Sequence, residues 1–104
     1  MTFGEILKEL DNGKVVRKAT YFNNLVIFKQ IPARIQSNNI LTMKSIPSDM
    51  KVLLRRYEAE VDYRNQYIIY DFNDGIASYA IFDGDDINAT DWEVVDINTY
   101  NPYE

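Results

Sequence analysis

The stretch Gln66–Phe82, QYIIYDFNDGIASYAIF, decides the fold class of this 104-residue chain. It holds two segments rich in isoleucine and aromatic residues, Gln66–Phe72 and Ile76–Phe82, which have the composition of β-strands. Between them, positions 73–75 read Asn-Asp-Gly, a sequence typical of a tight hairpin turn. The stretch therefore predicts an antiparallel hairpin.

Three further strands are predicted on either side of this hairpin. They are short apolar segments bounded by turn residues or proline: Val15–Arg17, Leu25–Ile31 and Trp92–Ile97. Asn23-Asn24 predicts a hairpin turn before the second of these strands. Pro32 ends that strand because proline lacks the amide that a sheet needs.

Two helices are predicted as well. Thr2 can cap the first, because Glu5 stands three residues later and its carboxylate can return to the Thr2 amide. Gly13 ends this helix, since it can adopt the left-handed conformation of a C-terminal cap. The second helix should run from Ser45 to about Glu58. It is expected to bury four side chains: Met50, Leu53, Leu54 and Tyr57.

The order of these elements, α-β-β-α-β-β-β, predicts an α+β fold. In it, the N-terminal helix and the one further helix pack on an antiparallel sheet of about five strands. The length fits one small domain, which we place at residues 1–97. The remaining segments are expected to be irregular: residues 33–44, 58–65 and 83–91, with a frayed tail at 98–104.

The composition excludes several kinds of site. The chain has no cysteine and no histidine, which removes disulfides, thiolate metal sites and the most common general base near neutral pH. The acidic clusters that begin at Asp71 and Asp83 lack the ligand and glycine spacing of a calcium-binding EF-hand. Asp85 and Asp86 could act as paired acid and base in a hydrolase, but no nucleophile or substrate motif accompanies them. We therefore expect no metal, no cofactor and no enzymatic activity.

Charge and hydropathy limit the partners. The net charge is −5, yet residues 1–59 carry ten basic against five acidic groups, while residues 60–104 carry one basic against eleven acidic groups. The acidic balance argues against long nucleic acid but leaves room for a small anionic ligand near the basic half. No apolar run reaches the roughly 18–20 residues of a membrane span, and the N-terminus lacks the features of a signal peptide. We expect no membrane partner.

The segment after the first predicted strand combines two cations with two rings. Arg17 and Lys18 are followed by Tyr21 and Phe22, and an anionic ligand with an aromatic ring would use both types of side chain. The alternative to a ligand site is that Arg17 and Lys18 lie in solvent at a strand end while the rings of Tyr21 and Phe22 pack in the core.

Both ends of the chain resemble one family. The opening residues Met1–Leu7 and Gly13–Lys18, the closing segment Asp86–Val95, and Met43–Ser48 between them resemble the second type of Thoeris anti-defence protein of phages and prophages. The closing segment carries the family pattern of an Asp, two residues, an Ala, one residue, and then Asp-Trp. The likeness is spread over residues 1–95 and includes a longer branch described as anti-CRISPR.

The resemblance implies a non-enzymatic sponge that works in the cytoplasm of the bacterial host. Family members form homo-oligomers, dimers or tetramers, and bind a cyclic nucleotide immune signal between protomers without cleaving it. The signal is a cyclic ADP-ribose isomer or a cyclic dinucleotide. Two alternatives remain: a protein-binding inhibitor of a bacterial immune effector, of the anti-CRISPR type, and a structural or regulatory phage protein without a ligand.

The ligand site is expected between protomers. Rings would come from Phe3, Tyr21 and Phe22, and phosphate contacts from Arg17 and Lys18. Hydrogen-bond acceptors for the base or ribose would come from the closing turn: Asp86, Asn88, Thr90 and Asp91. The alternative roles are turn capping for Asp86 and Asp91 and anchoring of the first helix for Phe3.

Two tryptophans of the family pattern are absent from their usual places. The Gly-Trp that follows the Arg/Lys pair in the family reads Ala19-Thr20 here, and the second tryptophan position falls near Ala80. Tyr21 and Tyr79 stand close to these positions and are the expected substitutes.

Overall fold

The computed structural model describes residues 1–31, 33–35, 46–63 and 66–104. Within these ranges the backbone forms helices and strands in the following order: α1 (Phe3–Asp11), β1 (Val16–Lys18), β2 (Leu25–Lys29), β3 (Ala33–Ile35), α2 (Ser48–Arg56), β4 (Val61–Tyr63), β5 (Tyr67–Asp71), β6 (Ile76–Tyr79), α3 (Gly84–Asn88) and β7 (Trp92–Val94).

Five strands form one antiparallel sheet in the order β6-β5-β2-β1-β7. The predicted hairpin is its β5–β6 edge, and Gly75 at the turn has a φ of 72°, which an L side chain rarely adopts. The Gly75 amide donates to the Asp71 carbonyl at 2.9 Å and closes the turn. The predicted α+β class and its five-stranded antiparallel sheet are confirmed.

The described backbone divides into two compact units, residues 1–30 with 66–104 and residues 31–65. The first holds the five-stranded sheet with α1 and α3. The second holds α2 and the antiparallel pair β3–β4. The extent of the domain predicted at residues 1–97 stays a prediction.

The second unit corrects two expectations. Residues 33–35 and 61–63, expected to be irregular, pair as β3 and β4, because strand pairing depends on a distant partner that local sequence does not reveal. Of the four side chains expected to be buried by α2, only Leu54 is buried; the other three are exposed: Met50, Leu53 and Tyr57. Helical spacing predicts which side chains share a face, but not whether anything packs on it. The predicted helix start at Ser45 lies outside the described residues.

Helix α1 is fixed at both ends as its sequence predicts. The Thr2 hydroxyl accepts from the Glu5 amide at 3.2 Å, and the Glu5 carboxylate accepts from the Thr2 amide at 3.0 Å. Gly13, just after the helix, has a φ of 84°. The apolar face of α1 packs on one face of the sheet and builds the core: Ile6, Leu10, Val16, Ile27 and Trp92.

Helix α3 is a further correction, since residues 83–91 were expected to form only turns. Asp83 caps this short helix by accepting from the Asp86 amide at 2.9 Å, and Asp86 returns the contact by accepting from the Asp83 amide at 3.1 Å. The Asp-x-x-Asp spacing is thus a capping box. The indole Nε1 of Trp92 donates to the Asp86 carbonyl at 2.9 Å and ties the helix to β7.

The last seven residues were expected to fray, and instead they make specific contacts. The Tyr100 amide donates to the Asp96 carbonyl at 2.9 Å, and the Tyr100 hydroxyl donates to the Asn23 carbonyl. The Tyr100 ring lies 6.1 Å from that of Phe72. This segment therefore lies against the β1–β2 turn and the end of β5.

Candidate functional site

The register of the sheet separates the two cations of β1. Lys18 is paired with Trp92, and Arg17 is paired with Glu93. Side chains alternate along a strand, so Lys18 and Trp92 lie on the face that α1 covers, together with Val16. Arg17 and Glu93 lie on the opposite face.

Lys18 forms a close ion pair with α3. Its Nζ lies 2.5 Å from Asp86 Oδ1, and both side chains are only 14% exposed. The hydrogen bond to Asp86 raises the pKa of Lys18 against the opposing effect of burial. Burial alone would raise the pKa of Asp86, but hydrogen bonds from Lys18 and from the Asp83 amide outweigh it, so this pKa lies below its usual value. Both groups are therefore charged at neutral pH.

Two rings lie beside this ion pair, and two further rings pack on one of them. Lys18 Nζ lies 5.2 Å from the centre of the Tyr21 ring and 5.8 Å from that of Trp92, within reach of a cation–π interaction. Tyr21 meets Trp92 edge-on at 6.0 Å, while Phe3 and Phe82 lie 5.9 and 6.1 Å from Trp92. We call the following six residues the Lys18 cluster: Phe3, Lys18, Tyr21, Phe82, Asp86 and Trp92.

The closing turn borders the Lys18 cluster. Asp91 holds the chain after β1, because its carbonyl accepts from the Ala19 amide at 2.9 Å and its carboxylate accepts from the Thr20 amide at 3.2 Å. Asn88 and Thr90 are exposed. Asp91 thus holds the segment after β1 in place. The exposed Asn88 and Thr90 present an amide and a hydroxyl to solvent.

Arg17 and Phe22 lie apart from the Lys18 cluster. Arg17 is 8% exposed; its Nη1 donates to Glu93 Oε1 at 2.8 Å and its Nη2 donates to the Tyr21 carbonyl at 2.5 Å. These two hydrogen bonds fix the Arg17 guanidinium between β7 and the segment after β1. The Phe22 ring is 79% exposed.

The structure thus brings together four of the nine predicted site residues, Phe3, Lys18, Tyr21 and Asp86, with Asp91 next to them. Contact of all nine with one ligand stays a prediction.

Sequence reasoning missed two members of this site. The sequence predicts only that Trp92 begins a strand and Phe82 ends one, yet Trp92 lies beside Lys18 and Phe82 packs on Trp92. Trp92 is the single tryptophan of the chain. The place of Trp92 in the site follows from the pairing of its strand with that of Lys18, and local sequence does not reveal this pairing.

The described part of the chain offers neither a metal centre nor a membrane span. Within it, no three or more acidic side chains converge as a metal site requires. None of the helices in the described ranges has the length and apolar character needed to cross a bilayer.

The Lys18–Asp86 pair predicts a specific dependence of stability on pH. The pKa of Asp86 is lower in the folded state than in the unfolded chain. The ionised carboxylate therefore contributes its full stabilisation above the unfolded-state pKa of about 3.9. This stabilisation is lost as the pH falls through the folded-state pKa. Asp86→Asn should therefore lower the melting temperature at neutral pH, and its difference from the parent should shrink in acid. Melting curves from roughly pH 2 to 7 measure this. A difference that stays constant over this range would show that the charge of Asp86 contributes nothing.

Comparison with known proteins assigns the chain to a family. No curated protein matches the chain significantly. The family model Tad2-like, described as the Thoeris anti-defense 2-like domain, matches residues 1–95, which include the whole Lys18 cluster. The chain therefore belongs to the Tad2-like family, a membership that implies a role against Thoeris defence.

Proposed function

We propose that this protein binds a cyclic nucleotide immune signal at the Lys18 cluster and keeps it, uncleaved, from the effector that the signal would activate. The observation that carries the proposal is the Lys18 ammonium, placed by Asp86 beside the rings of Tyr21 and Trp92. Family membership supports it by supplying the anti-defence role.

The ion pair suits a phosphate. A lysine ammonium carries three N–H donors, and Asp86 accepts from Lys18 at one oxygen while its other oxygen accepts from the Asp83 amide. The remaining Lys18 donors can bind phosphate oxygens, and charge-assisted hydrogen bonds of this kind contribute about 1.5–3 kcal/mol. Asp86 therefore orients the Lys18 ammonium and leaves N–H donors of Lys18 for a ligand.

The surrounding groups suit a nucleoside. Tyr21 is half-buried and offers a ring beside the ammonium, and a stacked base gains about 1–3 kcal/mol regardless of its identity. Asn88 and Thr90 are exposed on the turn next to Asp86. Their amide and hydroxyl groups can bond the polar edges of a base or ribose.

Sequestration without cleavage agrees with the composition. Breaking a phosphodiester or glycosidic bond calls for an acid, a base or a metal at the reacting atoms. The sequence has no histidine and no cysteine, and Asp86 is engaged by Lys18. These features support a protein that holds its ligand rather than transforms it.

We further propose that copies of the chain assemble as a dimer or tetramer. The basic balance of residues 1–59 and the acidic balance of residues 60–104 favour contact between neighbouring copies. A ligand bound between copies would also be better shielded from solvent than one on a single surface.

The test is binding with matched tyrosine variants. A panel of cyclic ADP-ribose isomers and cyclic dinucleotides is screened by thermal shift, and the hit is titrated by calorimetry against parent, Tyr21→Ala and Tyr103→Ala. Tyr21→Ala should bind about tenfold more weakly or worse, because it removes a stacking ring. Tyr103 is 74% exposed in the last residues of the chain, and its variant should bind like the parent. Equal affinity of Tyr21→Ala and parent would place the ligand elsewhere.

A second candidate function is inhibition of an immune effector by protein binding. Strand β6 lies at the sheet edge, and apolar side chains on and after it are exposed: Ile76 at 57%, Tyr79 at 66% and Ile81 at 88%. Such an edge can dock a partner protein. This candidate predicts that none of the tested cyclic nucleotides binds. It also predicts that Tyr79→Glu abolishes inhibition of the immune effector.

A further inference from the structure

Strand β6 pairs with the sheet on one side only. Its partner is β5, and none of the other described strands pairs with its outer side. The Ala80 amide donates to the Tyr67 carbonyl at 2.8 Å. Because backbone groups alternate along an antiparallel strand, the amide and carbonyl of Ser78 also face β5, while those of Ala77 and Tyr79 point away from it. Two N–H and two C=O groups are thus available to a further strand.

The outer side of β6 lacks the features that protect sheet edges. Natural edge strands carry charged side chains, a proline or a β-bulge, or are covered by another part of the chain. Residues 76–81 read Ile-Ala-Ser-Tyr-Ala-Ile and contain no charge, proline or glycine. Three of their side chains are more than half exposed: Ile76, Tyr79 and Ile81. This strand is therefore suited to pair with another extended segment.

Acidic side chains flank this strand at both ends. Asp74 stands in the turn before it, and Asp83 and Asp85 follow it. All three are exposed, and none of them forms an ion pair within the described residues. Residues 66–104 as a whole carry nine acidic and no basic groups. A segment with lysine or arginine at both ends is therefore attracted to this edge, and an acidic segment is repelled.

A second copy of this chain fits the edge poorly. Two β6 strands in antiparallel pairing would place the acidic ends of one against the acidic ends of the other. The basic residues in the described part of the chain lie on helices, on strands that already pair, or in the turn before β1, so none of them belongs to a free extended segment.

We propose that β6 takes up an extended segment of another protein as a sixth strand of the sheet, and that this segment is apolar in its middle and basic at both ends. The proposal names the partner class of the second candidate function and rests on that candidate for the role of the β6 edge. It makes no use of the Lys18 cluster.

The probes are two synthetic peptides, acetyl-Lys-Val-Thr-Val-Thr-Lys-amide and the same peptide with glutamate in place of both lysines. In titrations followed by nuclear magnetic resonance, the basic peptide should bind about tenfold more tightly than the acidic one, or better. It should also slow amide hydrogen exchange at Ala77 and Tyr79, whereas the Ser78 amide exchanges slowly without it.

Three results would overturn the proposal. The first is no binding of the basic peptide, or equal affinity of the two peptides. The second is binding that leaves exchange at Ala77 and Tyr79 unchanged. The third is slow exchange at these two amides before any peptide is added and faster exchange on dilution, because a second copy would then cover the edge.

A pair of variants at Tyr79 separates the backbone from the side chain. The Tyr79 amide points away from β5, so Tyr79→Pro removes an outward N–H and leaves the pairing with β5 intact. It should weaken binding of the basic peptide about tenfold or more. Tyr79→Thr keeps this N–H and should bind about threefold more tightly than the proline variant, or better. Equal binding by the two variants would contradict strand addition, and if Tyr79→Pro does not fold, the exchange pattern of the parent decides.

A second pair of variants tests the charge. Asp74 accepts from the Ile76 amide at 2.9 Å, and Asp96, which follows the strand at the opposite edge of the sheet, accepts from the Asn98 amide at 3.0 Å. Asparagine keeps this acceptor at either position. Asp74→Asn should weaken the basic peptide about two- to fivefold, the effect of one exposed ion pair, and Asp96→Asn should bind like the parent. Equal weakening by both would show that only the net charge matters.

The outcome is separable from that of the nucleotide proposal. If a cyclic nucleotide binds and the basic peptide does not, the strand proposal fails and the nucleotide proposal stands. If the basic peptide binds as described and no cyclic nucleotide does, the strand proposal stands and the nucleotide proposal fails.

Discussion

Trp92→Ala should cost the protein about 3–5 kcal/mol of unfolding free energy, the range for removing a buried large aromatic side chain. Trp92 is 1% exposed, belongs to the core and packs against Phe3, Tyr21 and Phe82. Its loss would leave a cavity and an unpaired Asp86 carbonyl. For a chain of this length, the melting temperature should fall by more than roughly 12 °C, measured by circular dichroism.

Trp92→Phe is the matched control. It keeps an aromatic ring in the core but removes the N–H that donates to the Asp86 carbonyl, so it should cost less than the alanine variant. If Trp92→Ala melts within a few degrees of the parent, Trp92 does not hold α1, β7 and α3 together.

Lys18→Met should weaken binding of the cyclic nucleotide by about tenfold to a hundredfold, the equivalent of one charge-assisted hydrogen bond. Methionine keeps an apolar stem against Tyr21 and Trp92 but cannot donate to a phosphate. Calorimetric titration gives the affinity, and a melting curve confirms that the variant folds.

Lys29→Met is the matched control for this loss. Lys29 also lies on the sheet face that α1 covers and forms an ion pair, with Asp11 at 2.9 Å, but it is not part of the Lys18 cluster. Its variant should bind like the parent. Equal weakening by both substitutions would indicate a general effect of charge, and unchanged binding by Lys18→Met would remove Lys18 from the site.

The parts of the fold that the sequence predicts are those with local signals. The hairpin Gln66–Phe82 depends on a turn within three residues, and α1 depends on a capping box between Thr2 and Glu5. The pairing of β3 with β4 joins residues 26 to 30 positions apart, and no local pattern marks it. Asp83 and Asp86 are a local signal for the start of helix α3. Because Asp also favours turns, a segment this short is equally compatible with a turn.

The candidate site shows the same division. Residue type and family likeness predict Lys18, Tyr21 and Asp86 as site residues, and the structure brings the three together. Adjacency in sequence suggests that Arg17 and Lys18 act together, yet neighbours in a strand face opposite sides of a sheet. Trp92 joins the site through pairing and packing that only the folded chain provides.

The central claim, that the protein holds a cyclic nucleotide without cleaving it, is tested most directly by recovery of the ligand. The purified protein is mixed with the cyclic nucleotide that binds, freed of unbound ligand by gel filtration, and denatured by heat. Mass spectrometry then identifies what is released. The account predicts the intact cyclic nucleotide from the parent and much less from Tyr21→Ala. Release of a linear or hydrolysed product, or of no nucleotide, would contradict it.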